Sequence, residues 1–413
     1  MKSSPCLFTI AALSLAFVFF ATPGRAQFQR VFGTALDESF SKVVQSGANY
    51  YVLGNGEMTD GQPGRATVTR LNATGELAWT LSLNIASQWN DAVLTPNGNL
   101  LVVGHSLPDD QSTKGIMGLV TPTGAFSWVR DYDLPQKDAF LRIVRNPVPQ
   151  NAAFPYYVLG TQTDFMTLNT DMVLLNLNES GTFNWKKIFT GPIFFSGSKL
   201  PHDLEALPNG NLLIAVNFDL QGLVMRIDNT GAPLNGLTPE GLFTFRDIAP
   251  ASDGGFFGVG VDLQNEKVHL VKFDADMINL WEVTIQNMTD VSQVWQGLNG
   301  DIYVTGARVS SGHYQPCHYR ISANGGTPDL VWAKWLDNNI LEFTGGTTSF
   351  LSPSQLAFTD GRMPASGGFG QFCAFISVSD LDLSTCMTID GDDQIQVVNP
   401  LYNGPLLPDI NFY

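Results

Sequence analysis

One short pattern recurs along this chain and limits what it can fold into: an apolar strand, a polar turn ending in glycine, then a second strand carrying tryptophan. Its clearest copy is Arg70–Leu81, RLNATGELAWTL. Further copies read LVTPTGAFSWV at Leu119–Val129, LNLNESGTFNWK at Leu175–Lys186 and RIDNTGAPL at Arg226–Leu234, with weaker ones at Lys272–Glu282 and Arg320–Ala333. The turn glycine supplies the positive φ that a tight reversal needs, so each copy predicts a β-hairpin. About twenty residues earlier stands a second signal, a turn followed by a buried strand: Asn49–Gly54, Asn97–Gly104, Pro155–Gly160, Asn209–Val216, Asp253–Gly260 and Asn299–Gly306. The strand-ending positions 54, 104, 160, 216, 260 and 306 lie 50, 56, 56, 44 and 46 residues apart, and Trp79, Trp128, Trp185, Trp281 and Trp332 keep the same rhythm, with one copy missing at Leu234. A unit of about fifty residues built only of short strands cannot bury its apolar side alone, whereas units stacked around an axis can. The repeat therefore predicts an all-β chain folded as a β-propeller of four-stranded blades.

Seven such units fit the length, with six or eight as alternatives. The repeat overrides the usual inference of two or three domains from 413 residues, because a repeat array grows its core by adding units. Residues 1–26 read as a secretory signal peptide: Lys2 is basic, Leu7–Ala21 is apolar but too short to span a bilayer, and small residues precede Gln27. Residues 27–386 form the expected propeller and 387–413 a tail without repeat signal. The chain carries a net charge of −16, and losing Lys2 and Arg25 with the leader makes it −18. That balance argues against nucleic acid or an anionic membrane surface as partner. No later stretch is long and apolar enough for a membrane helix. These features predict a secreted, cell-surface or periplasmic protein.

Phe28–Gly33 resembles the last strand of the other units, while the unit at the far end, with first strands near Thr347–Thr359 and a hairpin at Phe372–Cys386, lacks one. The N-terminal strand is therefore expected to complete the final blade and leave no open edge. Cys373 and Cys386 flank that hairpin; a bridge between them and two free thiols are both open readings. Longer polar loops join the second and third strands of most units: Asn55–Arg65, His105–Gly115, Thr161–Thr170, Ala307–Pro316 and Gly361–Gln371. They emerge on the face shared with the links between blades, where binding is expected.

Asp91, Asp203 and Asp247 each stand seven residues before a turn glycine (Gly98, Gly210, Gly254), at the start of the innermost strand and near the channel mouth. Converging there, they would suit a calcium ion or another cationic group; alternatively each caps its own turn through local backbone hydrogen bonds. Gln293 breaks the series. His313, Cys317 and His318 lack the spacing of a zinc site, and adjacent residues on a strand face opposite ways. Asp390–Asp393 lacks the ligand alternation of a calcium loop. No nucleophile elbow or phosphate-cradling loop is present, and the tryptophans are expected to pack between blades.

The residues Phe32-Gly33, Asp91, Asn97-Gly98, Gly104, Gly124 and Trp128, with their counterparts, resemble the repeat of secreted bacterial β-propellers that often carry a type IX secretion sorting domain. The Gly-x-x-x-Trp hairpin is also similar to pyrroloquinoline-quinone propeller repeats. The resemblance implies fold and export, not an activity. The expected function is a binding or interaction module for a protein or glycan at the cell surface. The alternative is a propeller enzyme, glycan-cleaving or quinone-dependent, that uses the channel-mouth carboxylates.

Overall fold

The computed structural model describes residues 28–32, 38–56, 64–107, 113–132, 137–164, 169–190, 198–218, 220–239, 242–310, 313–323, 326–336, 341–343, 347–352, 355–364, 373–381, 388–390, 395–397 and 411–412. The proposed leader, Cys386 and the tips of most of the long polar loops lie outside these residues. Among the described residues the chain is all β, with no helix, and its strands pair antiparallel.

Each repeat is a four-stranded meander. In the second, Asp91 pairs with Val103, Leu101 with Leu119, and Leu119 with Trp128. The same order recurs in Lys137–Thr190, Lys199–Leu237, Phe243–Ile285 and Asp290–Leu336. The turns form as their residues dictate. Gly124 N–H closes onto the Thr121 carbonyl at 3.1 Å, with φ at +84°. One boundary differs from expectation. The innermost strand of the second unit does not start at Asp91; it is the end of an 18-residue run, Leu77–Leu94, whose first half is the outermost strand of the unit before. The link stays extended because Ser87 Oγ both accepts the Ala66 N–H at 3.2 Å and donates to the Ile85 carbonyl at 2.9 Å.

The strand-ending glycines mark a second regularity. Each lies opposite a β-bulge in the innermost strand: the register breaks between Phe40 and Lys42, Trp89 and Asp91, Phe245 and Asp247, and Val291 and Gln293. The bulge drives a carbonyl against the neighbouring strand. A Cβ on Gly104 would stand 1.9 Å from the Gln88 carbonyl oxygen, so no side chain fits there. Gly104→Ala is expected to cost about 3 kcal/mol, the upper range for overpacking a core, measured by denaturant unfolding. A loss below about 1 kcal/mol would refute the close approach.

The apolar core lies in the seams between units. One cluster joins Tyr51, Leu53 and Val68 to Trp89, Val102 and Ile116 of the next unit; another joins Leu101 and Met117 to Phe140, Ile143 and Val158. The tryptophans pack there as expected. Trp79 lies beneath Gly124, Trp128 beneath Gly181 and Trp185 beneath Gly231, the turn glycine of the following unit in each case. Where the tryptophan is missing, at Leu234, the following turn carries Met277 instead of glycine, at φ +66° and 94% buried. Without an indole in the way, a side chain fits and fills the room.

The N-terminal strand Phe28–Phe32 pairs with Cys373–Asp380, from Phe28 opposite Val378 to Phe32 opposite Ala374. Phe28 lies beneath Gly75 of the first unit, in the place that tryptophan takes elsewhere, and touches Tyr50. A core cluster joins Phe28, Ala357, Ile376 and Val378 to Phe40, Val43, Tyr50 and Val52. The tail has a partner too: Thr388–Asp390, Ile395–Val397 and Asn411–Phe412 add to the outer edges of strands Asp329–Leu336, Asn279–Ile285 and Phe183–Thr190. No helix among the described residues is long and apolar enough to cross a membrane.

Candidate functional site

The bulges determine what stands at the centre. The residue after each bulge is Lys42, Asp91, Arg142, Asp203, Asp247 or Gln293, and each is followed by a buried aliphatic residue. The bulge turns the first of these toward the next unit. Asp91 Oδ2 accepts the Ile143 N–H at 3.0 Å, Asp203 Oδ2 the Ile248 N–H at 3.2 Å, and Asp247 Oδ2 the Val294 N–H at 2.8 Å. Ser349 Oγ accepts the Val43 N–H at 3.0 Å in the same manner. These bonds correct the expectation of a local cap. Each carboxylate holds the innermost strand of the following unit, not its own turn.

The three aspartates also converge electrostatically, around cations rather than around an open site. Lys42 Nζ lies 3.4 Å from Asp91 Oδ1 and Arg142 Nε lies 3.3 Å from Asp203 Oδ1. Asp203, Asp91 and Asp247 all bear on the Arg142 guanidinium. Glu205, two residues beyond Asp203, joins the group, and Lys42 and Arg142 offset its burial only in part. Burial and then the Asp203 charge push the carboxyls of Glu205 and Asp247 well above the usual range. Asp203 is raised too, by burial that outweighs Arg142.

This has a pH signature. A carboxyl whose folded pKa exceeds its unfolded one binds its proton more tightly when folded, so its charge erodes stability as pH rises from the unfolded value toward the folded one. Glu205→Gln removes that penalty. It is expected to raise the melting temperature by roughly 2 °C or more at neutral pH, and to change little near pH 4.5, the ordinary glutamate value. An equal gain at both pH values, or none at neutral pH, would contradict the burial argument.

Above this layer a cavity of about 240 Å³ is lined by Ser41, Lys42, Gln88, Trp89, Asn90, Leu141, Arg142, Ser292 and Gln293. Innermost strands from four units contribute to it, so they surround one space. Ser41, Asn90, Leu141 and Ser292 are the bulged residues themselves. Asn90 Nδ2 reaches the Phe140 carbonyl at 2.6 Å and lies 3.3 Å from His105 Nδ1. His202 is the bulged residue of the fourth unit; burial, then Arg246 and Arg142, push it down to about 4, so its imidazole is neutral at pH 7.

Among the described residues no group of three or more His, Cys, Asp or Glu is arranged to hold a metal ion. Cys317 and His318 are both buried but on opposite faces of strand His313–Ser322, pairing with Gly306 and Thr305. Sequence reasoning missed Lys42 and Arg142. It measured offsets from a turn glycine, but Lys42 precedes a two-residue turn and Arg142 the glycine-free loop Asn146–Pro155. The available signal was a charged residue followed by an aliphatic pair, as in Lys42-Val43-Val44 and Arg142-Ile143-Val144.

No family model matches the chain, and no curated protein matches it. Solved structures do. A catalytically inactive variant of virginiamycin B lyase from Staphylococcus aureus, solved with quinupristin, is similar over 85% of this chain and 99% of its own, at 12% identity and a TM-score of 0.54. A streptogramin B lyase matches over 86% and 98%, at 14% identity and a TM-score of 0.53. A polysaccharide lyase matches over 83% and 90%, at 12% identity and a TM-score of 0.53. At these identities the likeness is one of fold, and the fold is that of propeller proteins.

Proposed function

We propose that residues 27–386 form a seven-bladed propeller, closed by Phe28–Phe32, that works outside the cytoplasm as a binding module. Its ligand sits in the channel-mouth cavity. Ring closure is supported by the core seam between Phe28, Ile376 and Val378 on one side and Tyr50 and Val52 on the other, and by the Ser349 to Val43 bond. The observation that carries the binding reading is the cavity itself. Four units present hydroxyl, amide and cationic groups to one concave space, the usual arrangement of a small-ligand site on a rigid scaffold. Asp91, Asp203 and Asp247 serve it from below, by holding Lys42 and Arg142 in place. The partner class is a glycan at the cell surface, because paired donors and acceptors suit sugar hydroxyls. The test is a glycan screen with the full chain and with Ser292→Trp, which fills the cavity. Binding lost in the variant supports the reading; binding retained sinks it. Adding calcium or a chelator to the same screen checks whether the carboxylates recruit a cation.

A second reading follows from the names of the similar structures, each a lyase. On that reading a neutral imidazole, His202 or His105, would remove a proton from a bound sugar. Release of unsaturated sugar ends, followed by ultraviolet absorbance, would favour it over simple binding.

A further inference from the structure

The cavity lining is chemically one-sided: it includes two cations and no carboxylate. Asp91 and Asp203, the carboxylates paired with Lys42 and Arg142, are not among the lining residues, while both cations are. Arg142 uses Nε on Asp203 and Nη1 on the Leu141 carbonyl, which leaves Nη2. Lys42 makes one carboxylate contact, at 3.4 Å, for an ammonium with three donors. Gln293 Oε1 is buried there without a hydrogen-bond partner among the described residues. A buried acceptor without a donor is costly, and a ligand hydroxyl would satisfy it.

From this lining we propose that the cavity receives an acidic sugar, a ring whose carboxylate lies between Lys42 and Arg142 and whose hydroxyls meet Gln293, Gln88 and Asn90. The proposal rests on the binding reading above and names its ligand class. An acidic peptide fits less well, because the apolar lining is limited to Leu141 and the fully buried Trp89. Size agrees: about 240 Å³ is below the ~300–1,000 Å³ of clefts for drug-sized ligands and suits one ring of a longer chain.

Calorimetry on the full chain tests this with oligosaccharides cut from pectate, alginate and glucuronan, neutral galactose and glucose oligosaccharides of equal length, and polyglutamate. Uronates are expected to bind roughly tenfold or more tighter than neutral sugars, as charge-assisted contacts do, and more weakly as salt rises. Lys42→Gln should weaken uronate binding about tenfold and leave neutral sugars unchanged. Gln88→Glu, which adds a negative charge to the wall, should reduce the preference for uronates over neutral sugars by a similar factor, in case Lys42→Gln folds poorly. Equal binding of neutral and acidic sugars, abolished by Ser292→Trp, would overturn the acidic class while the cavity reading stands. Uronate binding that survives Ser292→Trp would overturn both, and polyglutamate binding as well as uronates would overturn the sugar assignment.

Discussion

Replacing Phe28 with alanine is expected to destabilise the whole propeller by about 3–5 kcal/mol, the range for deleting a buried aromatic ring from a core. Phe28 belongs to the first strand, yet its ring is 93% buried among residues from both ends of the chain. It lies beneath Gly75, packs edge-on against Tyr50 at 5.4 Å, and its strand pairs with Cys373–Asp380. If these contacts close a ring, the loss is felt by every unit and unfolding stays a single transition. If the units formed an open stack, only the terminal ones would loosen and the melt would split. Deleting residues up to the start of Glu38–Ser46 is the stronger form. It exposes the edge of Cys373–Asp380 and should give a protein that aggregates. A deletion variant that melts like the parent would rule out closure.

The second large effect is expected at Asp203. Its side chain is 93% buried and performs two tasks, accepting the Ile248 N–H and pairing with Arg142. Asp203→Ala leaves a buried backbone donor without its acceptor and takes from Arg142 the nearest of three carboxylates; since the Arg142 side chain is 35% exposed, a loss of about 3 kcal/mol is expected, the lower end for breaking a buried pair from one side. Asp203→Asn separates the two tasks, since its amide oxygen can still accept the N–H; a loss of only about 1–2 kcal/mol is expected there. Chemical denaturation measures both. Equal losses would mean that the charge, not the seam bond, holds the fourth and fifth units together. The site has a stake in the result, because Arg142 positioned by Asp203 is one of the two cations on the cavity wall.

The hairpins, the rhythm of the units and the role of Trp79, Trp128 and Trp185 were legible from residue order. All three follow from local rules: a glycine where φ must be positive, alternation where one face is buried, and an aromatic that recurs with the unit. The missing tryptophan at Leu234 was visible too, whereas the side chain that Met277 places in the following turn was found only in the structure. The site was only half legible. Asp91, Asp203 and Asp247 could be placed on the innermost strands, but what they touch could not, because their partners lie 52, 45 and 47 residues away across a seam.

Sequence alone determined that this chain is a string of similar antiparallel units, because strand, turn and buried face are each written within a few residues. Only the tertiary structure decided which charged side chains meet. The β-bulge at each innermost strand turns the residue after it toward the neighbouring unit, and a one-residue irregularity of that kind leaves no mark in the hydrophobic pattern beyond a glycine on the strand opposite. Lys42 and Arg142 thereby join three aspartates from other units at one centre, a meeting that arises from curvature around the axis and from no local rule.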